Sequence, residues 1–170
     1  GPASATTPAP PDTTPPSTPT SVTAVPVDPN RIDIGWTAST DDVAVTAYRV
    51  RRDGTIVATV PAPGTSFSDT TVLPSTTYAY TVDAGDAAGN RSAESAPASA
   101  TTPAPADTIP PSTPTGLTAT AVDQNRIDLA WLAAPDNVGV TGYTVRRGGA
   151  VLAVVPAPAT SYSDTTAAAS

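Results

Sequence analysis

Across 170 residues the chain carries 15 acidic and 8 basic side chains, and its net charge of −7 excludes a nucleic-acid binder, which needs clustered cations. Cysteine, histidine and methionine are all absent, so disulfides, thiolate–metal sites and His- or Cys-based nucleophilic catalysis are excluded as well. No apolar run approaches the ~18–20 residues that a membrane span needs.

Residues 1–17 are rich in proline and threonine, and Pro15-Pro16 disfavours helix and holds the backbone extended, as in a semi-stiff linker. Ser21–Ala24 then alternates, with Val22 and Ala24 on one face. Arg31–Trp36 alternates more clearly: Ile32, Ile34 and Trp36 point to a core, Arg31 and Asp33 to water. Ala47–Arg52 buries Tyr48 and Val50 and turns Arg49 and Arg51 outward. Asp53-Gly54 supplies the left-handed pair of a tight hairpin turn, after which Thr55–Val60 returns. Ser66–Thr70 is short. Thr77–Asp83 places Tyr78, Tyr80 and Val82 inside, and Gly89-Asn90 turns the chain into a last strand around Ser95–Thr101. Short strands with turn signals about every ten residues, and no helix signal between them, predict an all-β sandwich of seven strands over 18–102.

Residues 103–112 form a second proline-rich linker around Pro110-Pro111. The sequence also repeats: residues 107–170 align without a gap on 12–75 at an offset of 95, with 39 of 64 positions identical, and 97–106 match 2–11 at the same offset. That period indicates a tandem array of whole domains, because solenoid repeats run at about 20–50 residues. Residues 1–17 are thus expected to include the tail of a preceding unit. The following unit, 113–170, keeps Trp131, Tyr143 and Val145 but has no counterpart of Thr77–Asp83 or Ser95–Thr101, so about five strands are expected there. Both absent strands are expected to bond directly to the third strand, here Gly142–Arg147. In isolation this half-unit is expected to be unfolded, its missing strands lying outside the fragment or coming from another chain.

The order of these features resembles the fibronectin type III domain in its bacterial form. The residues that carry the likeness are Pro15-Pro16-Ser17-Thr18-Pro19, Trp36, Tyr48-Arg49-Val50, Asp53-Gly54, Leu73-Pro74-Ser75-Thr76-Thr77-Tyr78 and Asp86-Ala87-Ala88-Gly89-Asn90. The resemblance implies an immunoglobulin-like sandwich in which Leu73 and Tyr78 form a tyrosine corner. It also implies a function: non-catalytic spacer modules of a secreted bacterial multidomain enzyme that degrades polysaccharide, holding catalytic and binding domains apart. The partners would be neighbouring domains of the same polypeptide, with polysaccharide as a second candidate. The alternative is a carbohydrate-binding or adhesive stalk module of a cell-surface protein.

The chemistry-bearing residues give no catalytic site and no cofactor site. Asp41-Asp42 is a carboxylate pair, but a sandwich with short loops has no cleft to split their roles, and the second unit reads Asp136-Asn137 there. In a sandwich of this topology, Asp12, Asp41, Asp42, Asp86 and Asn90 gather near one pole, an oxygen-rich set that suits Ca²⁺. The competing reading is that these groups accept backbone N–H bonds and fix the loops. Sugar binding by stacking needs exposed rings. All eight aromatics (Trp36, Trp131, Tyr48, Tyr143, Phe67, Tyr162, Tyr78 and Tyr80) are expected on inward phases or at the corner. Arg52-Asp53-Gly54 is turn chemistry and not an adhesive tripeptide. Asn90-Arg91-Ser92 is a formal glycosylation sequon inside a turn, so Thr6, Thr7, Thr101 and Thr102 are the better O-glycan candidates. Arg49, Arg51 and Arg52, echoed by Arg146 and Arg147, form a basic stripe. It is expected either to pair with Asp83 at ~0.2–1 kcal/mol or to dock a partner.

Overall fold

The computed structural model describes residues 10–167; Thr6, Thr7 and most of the 1–17 segment lie outside the described residues. The chain divides into two compact units, 1–105 and 106–170. Among the described residues there is no helix, hence none long and apolar enough to cross a membrane.

The first unit has seven strands: β1 (Thr20–Asp28), β2 (Arg31–Thr37), β3 (Val45–Arg52), β4 (Thr55–Pro61), β5 (Ser66–Asp69), β6 (Thr77–Asp86) and β7 (Ala98–Thr101). They form two antiparallel sheets, β1-β2-β5 and β4-β3-β6-β7. Alternation decides which side chains meet between the sheets. Ile32, Ile34 and Trp36 from β2 face Tyr48 and Val50 from β3 and Tyr80, Val82 and Ala84 from β6, all buried in one cluster with Val72 and Ala100. Trp36 and Tyr48 lie with ring centroids 5.4 Å apart, tilted at 58°. The β3–β4 turn takes the left-handed conformation the sequence predicts, with φ of 50° at Asp53 and 81° at Gly54.

Three details differ from the sequence reading. Of the sixth and seventh strands only β6 bonds β3; β7 pairs with β6, so the seventh strand is not hydrogen-bonded to the third. The last strand starts at Ala98 and not at Ser95, because serine hydroxyls take over part of the ladder. The Ser92 and Ser95 backbone N–H groups bond Ala84 O and Val82 O, while their Oγ atoms accept from Ala84 N and Val82 N. Pro16 and Pro19 are buried, and Ser17 N–H bonds Thr40 O at 2.8 Å, so this proline segment packs on the module.

The second unit has β8 (Thr115–Asp123), β9 (Arg126–Leu132), β10 (Gly142–Arg147), β11 (Ala150–Pro156) and β12 (Ser161–Asp164). A β8-β9-β12 sheet lies with a two-stranded β10-β11 ribbon around a smaller cluster of Trp131, Ala134, Tyr143, Val145 and Val155. Trp131 and Tyr143 repeat the 5.4 Å ring pair.

Candidate functional site

The five polar residues expected at one pole form two groups. Asp12, Asp41 and Asp42 converge, each offering a carboxylate oxygen within 4.8 Å of the others. Local backbone explains most of this. Asp12 Oδ1 accepts from Thr14 N–H (2.9 Å), and Asp41 Oδ2 accepts from Val43 and Ala44 N–H (3.1 and 2.9 Å). Asp42 Oδ2 accepts from the Thr14 hydroxyl at 3.3 Å. Asp41 Oδ1 is buried with no partner. The donor set is all oxygen, which suits a hard cation such as Ca²⁺ over a transition metal.

Asp86 and Asn90 do a different job. Asp86 Oδ1 accepts from Gly89 and Asn90 N–H, both at 2.8 Å, and its Oδ2 accepts from Asn90 Nδ2 at 2.7 Å. Burial alone would raise the Asp86 pKa, yet these donors together hold it below the ordinary carboxylate value. The same Asn90 amide donates to the carbonyls of Asp12 and Thr14, stapling the β6–β7 turn to the N-terminal segment. A glycan on Asn90 would break that staple. In the second unit, Asn137 stands where Asp42 does, and its Nδ2 donates to Asp107 Oδ1 at 3.2 Å.

The basic stripe closes on itself. Asp83 is 1% exposed and receives Arg49 at 3.1 Å, Arg51 at 3.0 Å and Arg91, while Arg51 also lies 3.0 Å from Glu94. Three guanidinium groups and two carboxylates leave a local charge of +1. The expected cross-strand pairing with Asp83 is present, and the structure adds that the carboxylate is desolvated and that its partners come from both β3 and the β6–β7 turn. Arg91 reaches it across Gly85, where a Cβ would stand 2.6 Å from the guanidinium.

A second buried carboxylate, Asp69 at the end of β5, was not legible in the sequence. It accepts from Arg52 (2.7 Å), the Tyr80 hydroxyl (3.0 Å), and Thr71 through both N–H and hydroxyl (2.9 and 2.7 Å). Burial raises its pKa, and the Thr71, Tyr80 and Arg52 contacts outweigh that and hold it below the ordinary value. Burial and the bond to Asp69 push the Tyr80 phenol strongly up. Arg147, Asp164 and Thr166 repeat the arrangement in the second unit, with Arg147 2.6 Å from Asp164. The only available signal was the retention of Arg, Asp and Thr at these positions in both units.

The tripeptide Arg52-Asp53-Gly54 is used structurally, since Arg52 serves Asp69 and the Asp53 carboxylate accepts from Ala79 N–H at 3.0 Å. All eight aromatics are buried or half-buried. The Tyr78 oxygen accepts from Leu73 N–H at 2.9 Å, the expected corner, and its ring is covered by the Arg52 guanidinium 5.1 Å from the centroid. No flat ring is left as a platform for a sugar.

Comparison with known proteins agrees with this geometry. The model of the Fibronectin type III domain matches residues 17–101. Exoglucanase B of Cellulomonas fimi is 46% identical over 159 residues, covering 91% of this chain and 14% of that protein. Chitinase A1 of Niallia circulans is 40% identical over 146 residues (85% and 21%), and Exoglucanase A of Cellulomonas fimi is 45% identical over 141 residues (80% and 16%). The chain thus spans between 14% and 21% of the length of these three relatives. With half of its residues under the domain model and the corner, hairpin and two-sheet order in place, the chain belongs to the fibronectin type III family.

Proposed function

We propose that the chain is a run of non-catalytic modules from a longer, extracellular, polysaccharide-degrading enzyme, where it sets the spacing between a catalytic domain and a substrate-binding domain. One observation carries this reading. The same module, at 40–46% identity, occurs in proteins named as exoglucanases and as a chitinase, and fills at most 21% of each. A segment shared by enzymes named for different polymers does not choose the polymer. The geometry supports a passive role: the carboxylates fix loops, Arg49, Arg51, Arg52 and Arg91 are held by carboxylates of their own unit, and the rings are covered. Proline-rich joints such as 103–112 add stiffness, since proline fixes φ.

The test is an exchange of spacers. A hydrolase domain and a binding domain joined by this chain are compared with the same pair joined by a Gly/Ser linker of equal length. Rates on soluble oligosaccharide should match, and rates on insoluble polysaccharide should differ several-fold. The chain alone should not be retained by chitin, cellulose or starch at micromolar concentration; retention would favour the carbohydrate-binding reading.

A further inference from the structure

The chain that leaves the first unit is fastened where it leaves. Thr102, an O-glycan candidate by sequence, is only 2% exposed. Its hydroxyl donates to Leu73 O at 2.6 Å and accepts from Thr76 N–H at 3.0 Å, and its own N–H bonds Thr76 O at 3.0 Å. One residue on, Pro103 O accepts from Ser75 N–H at 3.3 Å. The tyrosine corner holds the same 73–76 loop, since Leu73 N–H donates to the Tyr78 oxygen. Thr102 therefore ties the outgoing chain to a loop that is already fixed.

The chain that enters the second unit is seated as well. Asp107 Oδ1 accepts from Ile109 N–H at 3.0 Å and from Asn137 Nδ2 at 3.2 Å, and Ser112 N–H bonds Pro135 O at 3.0 Å. The complete first unit seats its own entry at the corresponding positions, with Thr14 on Asp12 and Asp42, and Ser17 N–H on Thr40 O at 2.8 Å. Between Pro103 and Asp107 lie Ala104, Pro105 and Ala106, all exposed and without a hydrogen bond among the described residues. The boundary between the two compact units falls among these three. The same residues, Thr7-Pro8-Ala9-Pro10, stand ahead of Asp12 at the repeat offset.

We propose that Thr102 is an exit latch, and that it acts with the seated entry at Asp107–Ser112 to confine the flexible joint to residues 104–106. Three residues reach at most about 10–11 Å, whereas 103–112 as free chain would reach about 33–36 Å. Pro105 narrows the joint further by fixing its own φ and keeping Ala104 extended. The use of such a joint rests on the spacing role proposed above: the latch sets how far the flanking parts can part.

The test is backbone nitrogen-15 relaxation on the full chain, joined to amide hydrogen exchange on two variants. Order parameters of about 0.85 are expected at Thr101 and Thr102, below about 0.6 at Ala104 and Ala106, and about 0.85 again at Ile109 and Ser112. Thr102→Val keeps the shape and removes the hydroxyl, so the Ser75 and Thr76 amides should exchange at least about tenfold faster, with β2 and β3 unchanged. Thr102→Ser keeps the hydroxyl and should stay within about threefold of the wild type. Low order parameters running unbroken from Thr102 to Ser112 would overturn the proposal, as would values at Ala104 and Ala106 equal to that at Thr102. So would a valine variant that exchanges no faster than the serine one. If the valine variant does not fold, the wild-type profile decides alone. The spacer exchange between enzyme domains reads the spacing role separately, so either result can fail without the other.

Discussion

At the scale of single residues, two buried carboxylates matter more than any exposed charge. Asp83 is desolvated and satisfies three guanidinium groups, so removing its charge leaves cations facing one another with only Glu94 nearby. The arginines are partly exposed, which screens the repulsion, and Asp83→Asn should cost about 2–3 kcal/mol. A urea titration checks this, with a lower midpoint and an unchanged slope expected. Asp69 contributes to the pH dependence of stability. Its folded pKa is depressed, so its contribution is fully present above the unfolded value of about 4 and is lost as pH falls through the lower folded value. Stability measured from about pH 6 down to about pH 2 should therefore fall, and the gap between wild type and Asp69→Asn should narrow over the acidic part of that range. An equal gap at every pH would show that Asp69 acts only through shape.

At the scale of elements, the β3–β4 hairpin shows how turn chemistry sets register. Asp53 and Gly54 both have positive φ, and β4 then runs back along β3 from Arg52–Thr55 to Ala47–Pro61 with one irregularity. The Asp53 carboxylate reinforces the turn by bonding Ala79 N–H on β6. A Cβ on Gly54 would meet nothing within 4 Å, so Gly54→Ala isolates the backbone cost of a left-handed residue. That cost is about 1–2 kcal/mol and should appear as a lower melting point with the core unchanged by near-ultraviolet circular dichroism. The serine-bonded segment before β7 makes the complementary point. Ser92 and Ser95 hydroxyls replace main-chain acceptors there, which shortens the formal strand without leaving β6 unpaired.

At the scale of the whole molecule, stability rests on one small core per unit. Trp36→Ala should cost ~3–5 kcal/mol by opening a cavity, a large share of the ~5–15 kcal/mol of a typical domain. Differential scanning calorimetry should show the first unit's transition fall by about 12 °C or more. An unmoved transition would contradict the placement of Trp36 between the sheets. Calcium should matter little, because backbone N–H groups already occupy one carboxylate oxygen of Asp12 and one of Asp41 and fix both loops. Melting points in millimolar calcium and in chelator should agree within about 2 °C, since a cation bound only by the native form would raise the first.

The sequence alone determined the strands, the hairpin turn, the inward aromatics and the tandem repeat, because each is written in local alternation, turn residues or self-similarity, while the tyrosine corner followed from the family resemblance carried by Leu73–Tyr78. It named Asp12, Asp41, Asp42, Asp86 and Asn90 as one pole. Only the tertiary structure divided that pole into three converging carboxylates and an Asp86–Asn90 staple, since the division depends on which side chain each loop turns inward. Register decided the rest. Arg49 and Asp83 are 34 residues apart and meet because β3 and β6 pair with those two residues opposite, while Arg91 joins them only because Gly85 leaves room. The Asp69 cluster likewise brings together residues from β3, β5 and β6, whose relative height no local pattern encodes. Burial then turned ordinary surface charges into buried ones, because two sheets packed face to face remove water from whatever their edges enclose.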